Sequence, residues 1–166
     1  FRRVLFRSEE IRDYVDLDIH SPQTEFLLYL GSVSAVSNHV EQHLEAGNDV
    51  VVDRYYPSTV VYRNADTNED WTSYCRDFDF VEPDEIFFLW TDEDTRMQRI
   101  GNRHVLDKEE EADSDFMNEV RSEYLALAEE FEMVPIEAVE GVNNVVDKVM
   151  DEIEEDYSQI PQDLPK

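Results

Sequence analysis

The residue types best suited to chemistry stand together at the end of one apolar run. Asp53 and Arg54 directly follow the run Val50–Val52, and Pro57 breaks the chain shortly afterwards. A carboxylate at this point can hold Mg²⁺ or accept a hydroxyl proton, and a guanidinium can bind a phosphate through two parallel hydrogen bonds. A plain ion pair at a strand end is the other interpretation, and the spacing alone leaves both open.

The elements that would position this pair follow from the apolar pattern. The run Val50–Val52 predicts a strand buried on both faces, as in a parallel sheet, and Ile86–Trp90 predicts a second one. Met133–Val139 predicts a third strand. In open α/β sheets ligands bind beyond the carboxyl ends of the strands, which is where Asp53 and Arg54 would emerge.

Capping residues predict helices between these strands. Ser21 and Pro22 predict a helix start, the apolar spacing from Thr24 to Ala46 predicts a long amphipathic helix, and Gly47 ends it. The pattern further predicts a loop with a short helix over Asn64–Asp79, a helix capped by Thr91 that runs to about Arg103, and helices over Asp115–Phe131 and Asn143–Glu155. This alternation predicts an α/β fold whose parallel sheet is flanked by helices.

The large excess of acidic residues argues against polyanionic binding partners. Against 14 Lys and Arg the 166-residue chain carries 41 Asp and Glu, a net charge of −27, which argues against nucleic acid and anionic membranes as partners. Because the acids are spread along the chain rather than gathered in one tail, we expect a protein adapted to a halophilic cytoplasm. Cys75 is the single cysteine, which favours a reducing compartment, and no apolar run approaches membrane-span length.

The first eight residues differ in composition from the rest. Residues 1–8 contain three arginines and no acid, and they resemble translated sequencing-adapter read-through. We therefore expect a non-native segment at 1–8, one domain over 9–156 and a frayed tail at 157–166.

Four motifs in order resemble the thymidylate kinases, P-loop enzymes that move a phosphoryl group from ATP to deoxythymidine monophosphate (dTMP). The family's strand-end motif Asp-Arg-Tyr-x-x-Ser-x-x-x-Tyr matches Asp53, Arg54, Tyr55, Ser58 and Tyr62. The other matches are Pro83-Asp84 before the second strand, a lid pattern at Arg99, Arg103, Leu106, Asp107 and Lys108, and a helix pattern at Asp115-Phe116, Arg121, Tyr124-Leu125 and Leu127-Ala128. The resemblance implies part of a P-loop NTPase-type sheet.

The resemblance also implies roles on the acceptor side. Asp53 would organise Mg²⁺ and the acceptor phosphate, and Arg54 would bind the acceptor or transferring phosphate. Tyr62 would pack against the deoxyribose, and Tyr29 would stack on the base, although an apolar stripe equally suits Tyr29 as a core residue. Tyr55 and Ser58 complete the substrate contacts.

On the donor side, the resemblance implies that lid cations neutralise charge on the γ-phosphoryl group of ATP. The three cations are Arg99, Arg103 and Lys108. Pairing of Arg99 and Arg103 with the surrounding acids is the structural alternative.

Two positions depart from the family pattern at the base. Val33 stands where the family has a base-reading arginine, and Arg63 replaces a glutamine after Tyr62. Arg63 is therefore a candidate base-reading residue.

No Gly-x-x-x-x-Gly-Lys-[Ser/Thr] motif occurs, because none of the four glycines is followed by lysine. We therefore expect an N-terminally truncated chain without the first strand and P-loop, a gap between the Val50 and Ile86 strands, and no kinase turnover by these 166 residues alone.

Three functions remain open at this stage. The first is a dTMP kinase that uses ATP and Mg²⁺, and the second is a P-loop kinase with a changed acceptor base. The third is a non-catalytic acidic binding protein. The resemblance implies a deoxynucleoside monophosphate as substrate and a homodimer through the long helices. His39 and His43, one helical turn apart, have a spacing that can bind a metal, but an exposed helix face explains them as well.

Overall fold

The computed structural model describes residues 2–4, 21–101 and 114–159, and it confirms alternating helices and parallel strands. In chain order the elements are β1 (Arg2–Val4), α1 (Pro22–Glu45), β2 (Val50–Val52), α2 (Tyr56–Thr67), α3 (Thr72–Cys75), β3 (Ile86–Trp90), α4 (Glu93–Gly101), α5 (Ser114–Leu127), β4 (Met133–Glu137) and α6 (Val142–Gln159). The chain divides into two compact units, residues 1–83 and 84–166.

The strands of the described ranges form two parallel pairs. In the first unit β1 pairs with β2, with Arg3 opposite Val51, and in the second unit β3 pairs with β4, with Phe88 opposite Pro135. Each pair forms its own two-stranded sheet in the described ranges. Residues 2–4 belong to the segment that composition sets apart, yet they add a strand to the edge of β2.

Helix α1 forms as its capping residues predict. The Ser21 hydroxyl accepts a hydrogen bond of 3.2 Å from the Thr24 amide, and Pro22 occupies the first turn. Gly47 ends the helix with a φ of +75°, a backbone conformation that glycine adopts without steric cost. These caps fix the point at which the chain turns into β2.

The core of the first unit lies between α1, α2 and β2. Phe26, Leu30, Val60 and Val61 are fully buried, and Val36 and Val40 of α1 pack against Val50 and Val52 of β2. Trp71 closes one end of this core against Phe26, with ring centroids 5.0 Å apart. Burial of these side chains holds the strand end that carries Asp53.

In the second unit, helices cover the β3–β4 pair. Phe88 of β3 stacks on Tyr124 of α5 with ring centroids 4.4 Å apart, and Val120, Met133 and Ile136 are buried. The guanidinium carbon of Arg121 lies 4.6 Å from the Trp90 ring centroid, a cation–π contact at the carboxyl end of β3. The face of α5 that carries Tyr124 therefore packs against β3.

The prediction that β2 and β3 are buried on both faces is wrong. Val51 is 50% exposed and Leu89 is 53% exposed, because successive strand residues point to opposite faces and these two lie on the less covered face of their strand. In the described ranges, no helix is long and apolar enough to span a membrane.

Three helices also differ from the prediction. Helix α2 over Tyr56–Thr67 was not predicted, because Pro57 occupies its first turn instead of ending a segment. The short helix predicted within Asn64–Asp79 is present as α3. The cap of α4 is Asp92 and not Thr91, since the Asp92 carboxylate accepts a hydrogen bond of 2.8 Å from the Thr95 amide. Helix α6 continues to Gln159, past the residue where fraying is predicted.

Candidate acceptor site

The turn between β2 and α2 places Asp53 and Arg54 at the carboxyl end of the strand. Both residues are exposed, and Arg54 has a φ of +65°, a conformation that is uncommon for any residue with a side chain. Such a conformation costs on the order of 1–3 kcal/mol and persists only where surrounding structure fixes it. A strained arginine beside an aspartate at a strand end is the geometry expected of a binding site rather than of a plain loop.

The guanidinium of Arg54 packs over the ring of Tyr62. The guanidinium carbon of Arg54 lies 4.9 Å from the centre of the Tyr62 ring, close enough for a cation–π contact. Because Tyr62 is on α2, this contact joins the strand end to the helix that follows it. Two residues predicted for the same site therefore lie together in the structure.

Tyr55 points into the interior of the first unit. Its ring packs against the rings of Tyr56 and Phe80, with centroids 5.0 and 6.0 Å away. Burial raises the pKa of Tyr55; the Glu82 carboxylate raises it further, whereas Ser37 and the Val81 backbone oppose the change. The hydroxyl is buried close to these two groups without meeting hydrogen-bond geometry to them, so it is an unsatisfied polar atom beside the strand end.

The neighbouring Tyr56 and Ser58 are positioned by the first turn of α2. The Tyr56 hydroxyl donates a hydrogen bond of 3.1 Å to Glu82, and burial first, then the Glu82 carboxylate, raise the pKa of Tyr56. The Ser58 amide donates a hydrogen bond of 3.1 Å to the Tyr55 carbonyl, and Ser58 is half-buried. This turn therefore holds Ser58 next to the predicted site.

Arg63 is buried between two carboxylates. Its side chain is 8% exposed, and its guanidinium nitrogens lie 2.8 Å from a Glu25 oxygen and 2.9 Å from an Asp66 oxygen. Glu25 belongs to α1, so Arg63 ties α1 to α2 at the edge of the predicted site. Sequence reasoning missed Glu25 because the two residues are 38 positions apart and no local pattern links them.

The residues predicted to face the base lie on the buried side of α1. Tyr29 is half-buried and stands beside the fully buried Leu30, and Val33, one turn later, is also half-buried. Val33 has no polar group to offer a base. Tyr29 therefore lies on the same side of α1 as its buried residues.

Only one of the three predicted lid cations lies in the described ranges. Arg99, on α4, donates hydrogen bonds of 3.2 and 3.1 Å to the carbonyl oxygens of Val139 and Glu140, which follow β4. Arg103 and Lys108 lie outside the described residues. In this structure Arg99 therefore fastens α4 to the loop between β4 and α6.

A second arginine of α4, Arg96, binds a carboxylate at the start of the same helix. Arg96 donates two hydrogen bonds of 2.8 Å to the carboxylate of Glu93. The Arg96 hydrogen bonds first, then the Ser114 hydroxyl, lower the pKa of Glu93 to about 2. This pair orders the helix start, and its arginine is occupied by a neighbouring acid.

A single carboxylate at the strand end is suited to magnesium. Mg²⁺ in phosphoryl-transfer sites is held by one or two carboxylates together with substrate phosphates, and Asp53 is an exposed carboxylate beside a phosphate-binding residue type. In the described ranges there is no group of three or more His, Cys, Asp or Glu side chains that could hold a metal ion by themselves.

Comparison with known proteins identifies the family. The thymidylate kinase family profile matches residues 8–149, which cover most of both units and contain the four family motifs described above. The chain belongs to the thymidylate kinase family. The strand-end residues Asp53 and Arg54 thus lie within a match that spans most of the chain.

Individual thymidylate kinase relatives are distant in sequence. A protein of Methanocaldococcus jannaschii named "Probable thymidylate kinase" is 31% identical over 103 residues, covering 59% of this chain and 52% of the relative. The thymidylate kinase of Francisella tularensis subsp. holarctica is 27% identical over 154 residues, covering 83% of this chain and 71% of the relative. The chain spans about half the length of the first of these relatives.

Proposed function

We propose that this chain carries the acceptor side of a deoxynucleoside monophosphate kinase, which transfers the γ-phosphoryl group of ATP to dTMP. The observation that carries the proposal is the strained Arg54 beside Asp53, over Tyr62, inside a family match that covers residues 8–149. The family match alone would support any protein on this fold. The presence of Asp53 and Arg54 at the strand end, with Tyr62 beside them on α2, favours a catalytic member of the family.

In the proposed mechanism, Arg54 binds the phosphate of dTMP through charge-assisted hydrogen bonds. The Tyr62 ring restrains the Arg54 side chain at 4.9 Å, so less side-chain freedom is lost when phosphate binds. Asp53 lies at the same strand end, where it would hold Mg²⁺, which supplies neutralisation of phosphate charge when bound. Phosphoryl transfer depends mainly on such positioning, so the acceptor side needs no nucleophile of its own.

The donor side of the proposal rests on fewer described residues. Arg99 would contribute charge near the γ-phosphoryl group together with Arg103 and Lys108. Since Arg99 is held by the carbonyls of Val139 and Glu140, it must exchange these contacts for phosphate contacts to do so. The exchange replaces neutral acceptors by charged ones, which form stronger hydrogen bonds with a guanidinium.

A related kinase with a changed acceptor base is the second candidate, and the surroundings of Arg63 favour it. The guanidinium of Arg63 is neutralised by Glu25 and Asp66, and Val33 offers no hydrogen bond, so neither residue presents an obvious donor to thymine. A comparison of dTMP, dCMP and dUMP as acceptors distinguishes the candidates. Arg63→Gln changes the ranking of the three only if Arg63 takes part in reading the base.

We also propose that the protein works in a salt-rich cytoplasm and forms a homodimer through its long helices. The net charge of −27 supports the first part, because molar salt screens the repulsion between the surface acids. From Phe26 to Asn38, α1 carries no charged residue, which supports the second part, since this stretch can approach a second copy with little like-charge repulsion.

The test of the proposed activity uses a matched pair of aspartates at the two ends of β2. Because this chain contains no P-loop sequence, turnover is measured on a chimera that joins a family P-loop segment ahead of Glu9. We expect Asp53→Ala to lower ATP-dependent phosphorylation of dTMP on the order of 100-fold, as for loss of an electrostatic catalytic group. Asp49→Ala, at the other end of the strand, should retain activity. Equal activities of the two variants would refute the site.

A further inference from the structure

A pair of histidines on α1 has no part in the proposed kinase site. His39 and His43 stand one helical turn apart, and their ring centroids are 4.7 Å from each other, with the ring planes at 81°. His39 is exposed and His43 is half-buried, so both rings can be reached from solvent. The structure therefore places two imidazole rings side by side on one face of α1.

Two neighbouring imidazoles suit a transition-metal cation that accepts nitrogen ligands, such as Zn²⁺ or Ni²⁺. Imidazole nitrogen binds Zn²⁺ at about 2.0–2.1 Å, so two ligands on one tetrahedral ion stand roughly 3.3 Å apart. Side chains four residues apart lie next to each other on a helix, so rotation of the two rings from their edge-to-face arrangement, with centroids 4.7 Å apart, can bring one nitrogen of each to that separation. Mg²⁺ prefers oxygen ligands and would not compete for this pair.

The surroundings favour a cation further. The chain has a net charge of −27, and such a surface raises the local concentration of cations. In the described ranges no third His, Cys, Asp or Glu joins the pair to complete a closed structural site. The remaining coordination positions would therefore be filled by water, as in an open site.

We propose that His39 and His43 form a solvent-open chelate for Zn²⁺ or Ni²⁺ that links two consecutive turns of α1. The ion binds the folded helix and not the unfolded chain in this geometry, so it stabilises α1 by mass action. Helix α1 leads directly into β2 and the Asp53 turn. The proposal does not depend on the proposed phosphoryl transfer.

The test measures binding of Zn²⁺ and Ni²⁺ to the tag-free 166-residue protein by calorimetry and thermal unfolding, in molar KCl with a phosphine reductant. We expect one ion per chain and a rise in melting temperature with either metal, and no rise with Mg²⁺. His39→Asn and His43→Asn should each weaken binding by about tenfold or more, since even a group that only supports a metal ligand is worth roughly 10- to 100-fold.

Two controls separate chelation from general effects of substitution. His104→Asn removes a histidine elsewhere in the chain and should bind the metal as the unmodified protein does. His39→Cys keeps a metal ligand at the same position and should restore zinc binding if His39→Asn loses it. Far-UV circular dichroism checks that each variant folds. Absence of saturable binding, or equal binding by the two Asn variants and the unmodified protein, would overturn the proposal.

Discussion

The guanidinium of Arg54 lies over the ring of Tyr62, 4.9 Å from its centre, while the Arg54 backbone has a φ of +65°. The strain and the contact occur in the same residue, and both concern the turn between β2 and α2. A loop selected only for stability would place glycine or asparagine at such a position. The proposed phosphate-binding role would account for an arginine at this point.

At residue 54, glycine should give a more stable protein than alanine does, which is the reverse of their usual order inside helices and strands. In a left-handed conformation, glycine has no Cβ clash, whereas alanine keeps the strain of the original residue. We expect Arg54→Gly to be more stable to unfolding than Arg54→Ala by about 1 kcal/mol. Urea unfolding in molar KCl measures the difference. A more stable alanine variant would show that residue 54 does not have the positive φ.

The link between α1 and α2 through Arg63 should depend more on Glu25 than on Asp66. The Glu25 side chain is 22% exposed and the Asp66 side chain is 55% exposed, so water compensates the loss of Asp66 more completely. We expect Glu25→Gln to lower the free energy of unfolding by about 1–2 kcal/mol, and Asp66→Asn by less than about 1 kcal/mol. The same unfolding experiment measures both. Equal losses would contradict this account of the pair.

The start of α4 should make the protein sensitive to acid. The Arg96 hydrogen bonds and the Ser114 hydroxyl lower the pKa of Glu93 to about 2, and hydrogen bonds from the Thr95 amide and hydroxyl lower the pKa of Asp92. Groups whose pKa is lower in the folded state stabilise the protein above their unfolded pKa and lose that contribution as pH falls.

We therefore expect stability to decline as the pH falls from near 4.5 towards about 2, the range between the ordinary and the folded pKa of Glu93. Glu93→Gln should be less stable at neutral pH and should lose less on acidification. Thermal unfolding across this pH range, in constant molar KCl, measures both effects. An unchanged acid profile in Glu93→Gln would argue against a role for this carboxylate.

The acidic surface should make folding dependent on salt. With a net charge of −27, repulsion between surface carboxylates is strong in dilute buffer, and screening shortens to about 3 Å at 1 M salt. We expect the melting temperature to rise steadily from dilute buffer to molar KCl. A sucrose series serves as a control for solute effects without screening. A melting temperature that does not rise with KCl would remove the support for a halophilic origin.

Local sequence signals predict the ends of α1, the positions of the strands and their parallel pairing. Ser21, Pro22 and Gly47 determine the ends of α1 through contacts within a few residues, and the apolar runs at 50–52 and 86–90 form strands as predicted. Parallel pairing was also predicted correctly. These features depend on interactions that a short window of sequence contains.

Features that depend on distant residues were not predictable in the same way. The exposure of Val51 and Leu89 depends on which elements cover each sheet face, and the contact of Arg63 with Glu25 joins residues 38 positions apart. Pro57 predicts a break in the chain, although proline suits the first turn of a helix equally well, and the structure has it there. The strained φ of Arg54 has no signature in the sequence.

The most direct test of the acceptor site compares dTMP with thymidine, which lacks the phosphate, as ligands for the 166-residue protein. Calorimetry in molar KCl with Mg²⁺ measures both affinities for the unmodified protein, Arg54→Ala and the matched surface variant Arg76→Ala. We predict that Arg54→Ala weakens dTMP binding roughly 10- to 100-fold, because charge-assisted hydrogen bonds to the phosphate are lost. Thymidine binding should not change, and Arg76→Ala should bind dTMP normally. Equal dTMP affinities of Arg54→Ala and the unmodified protein would contradict the proposed site.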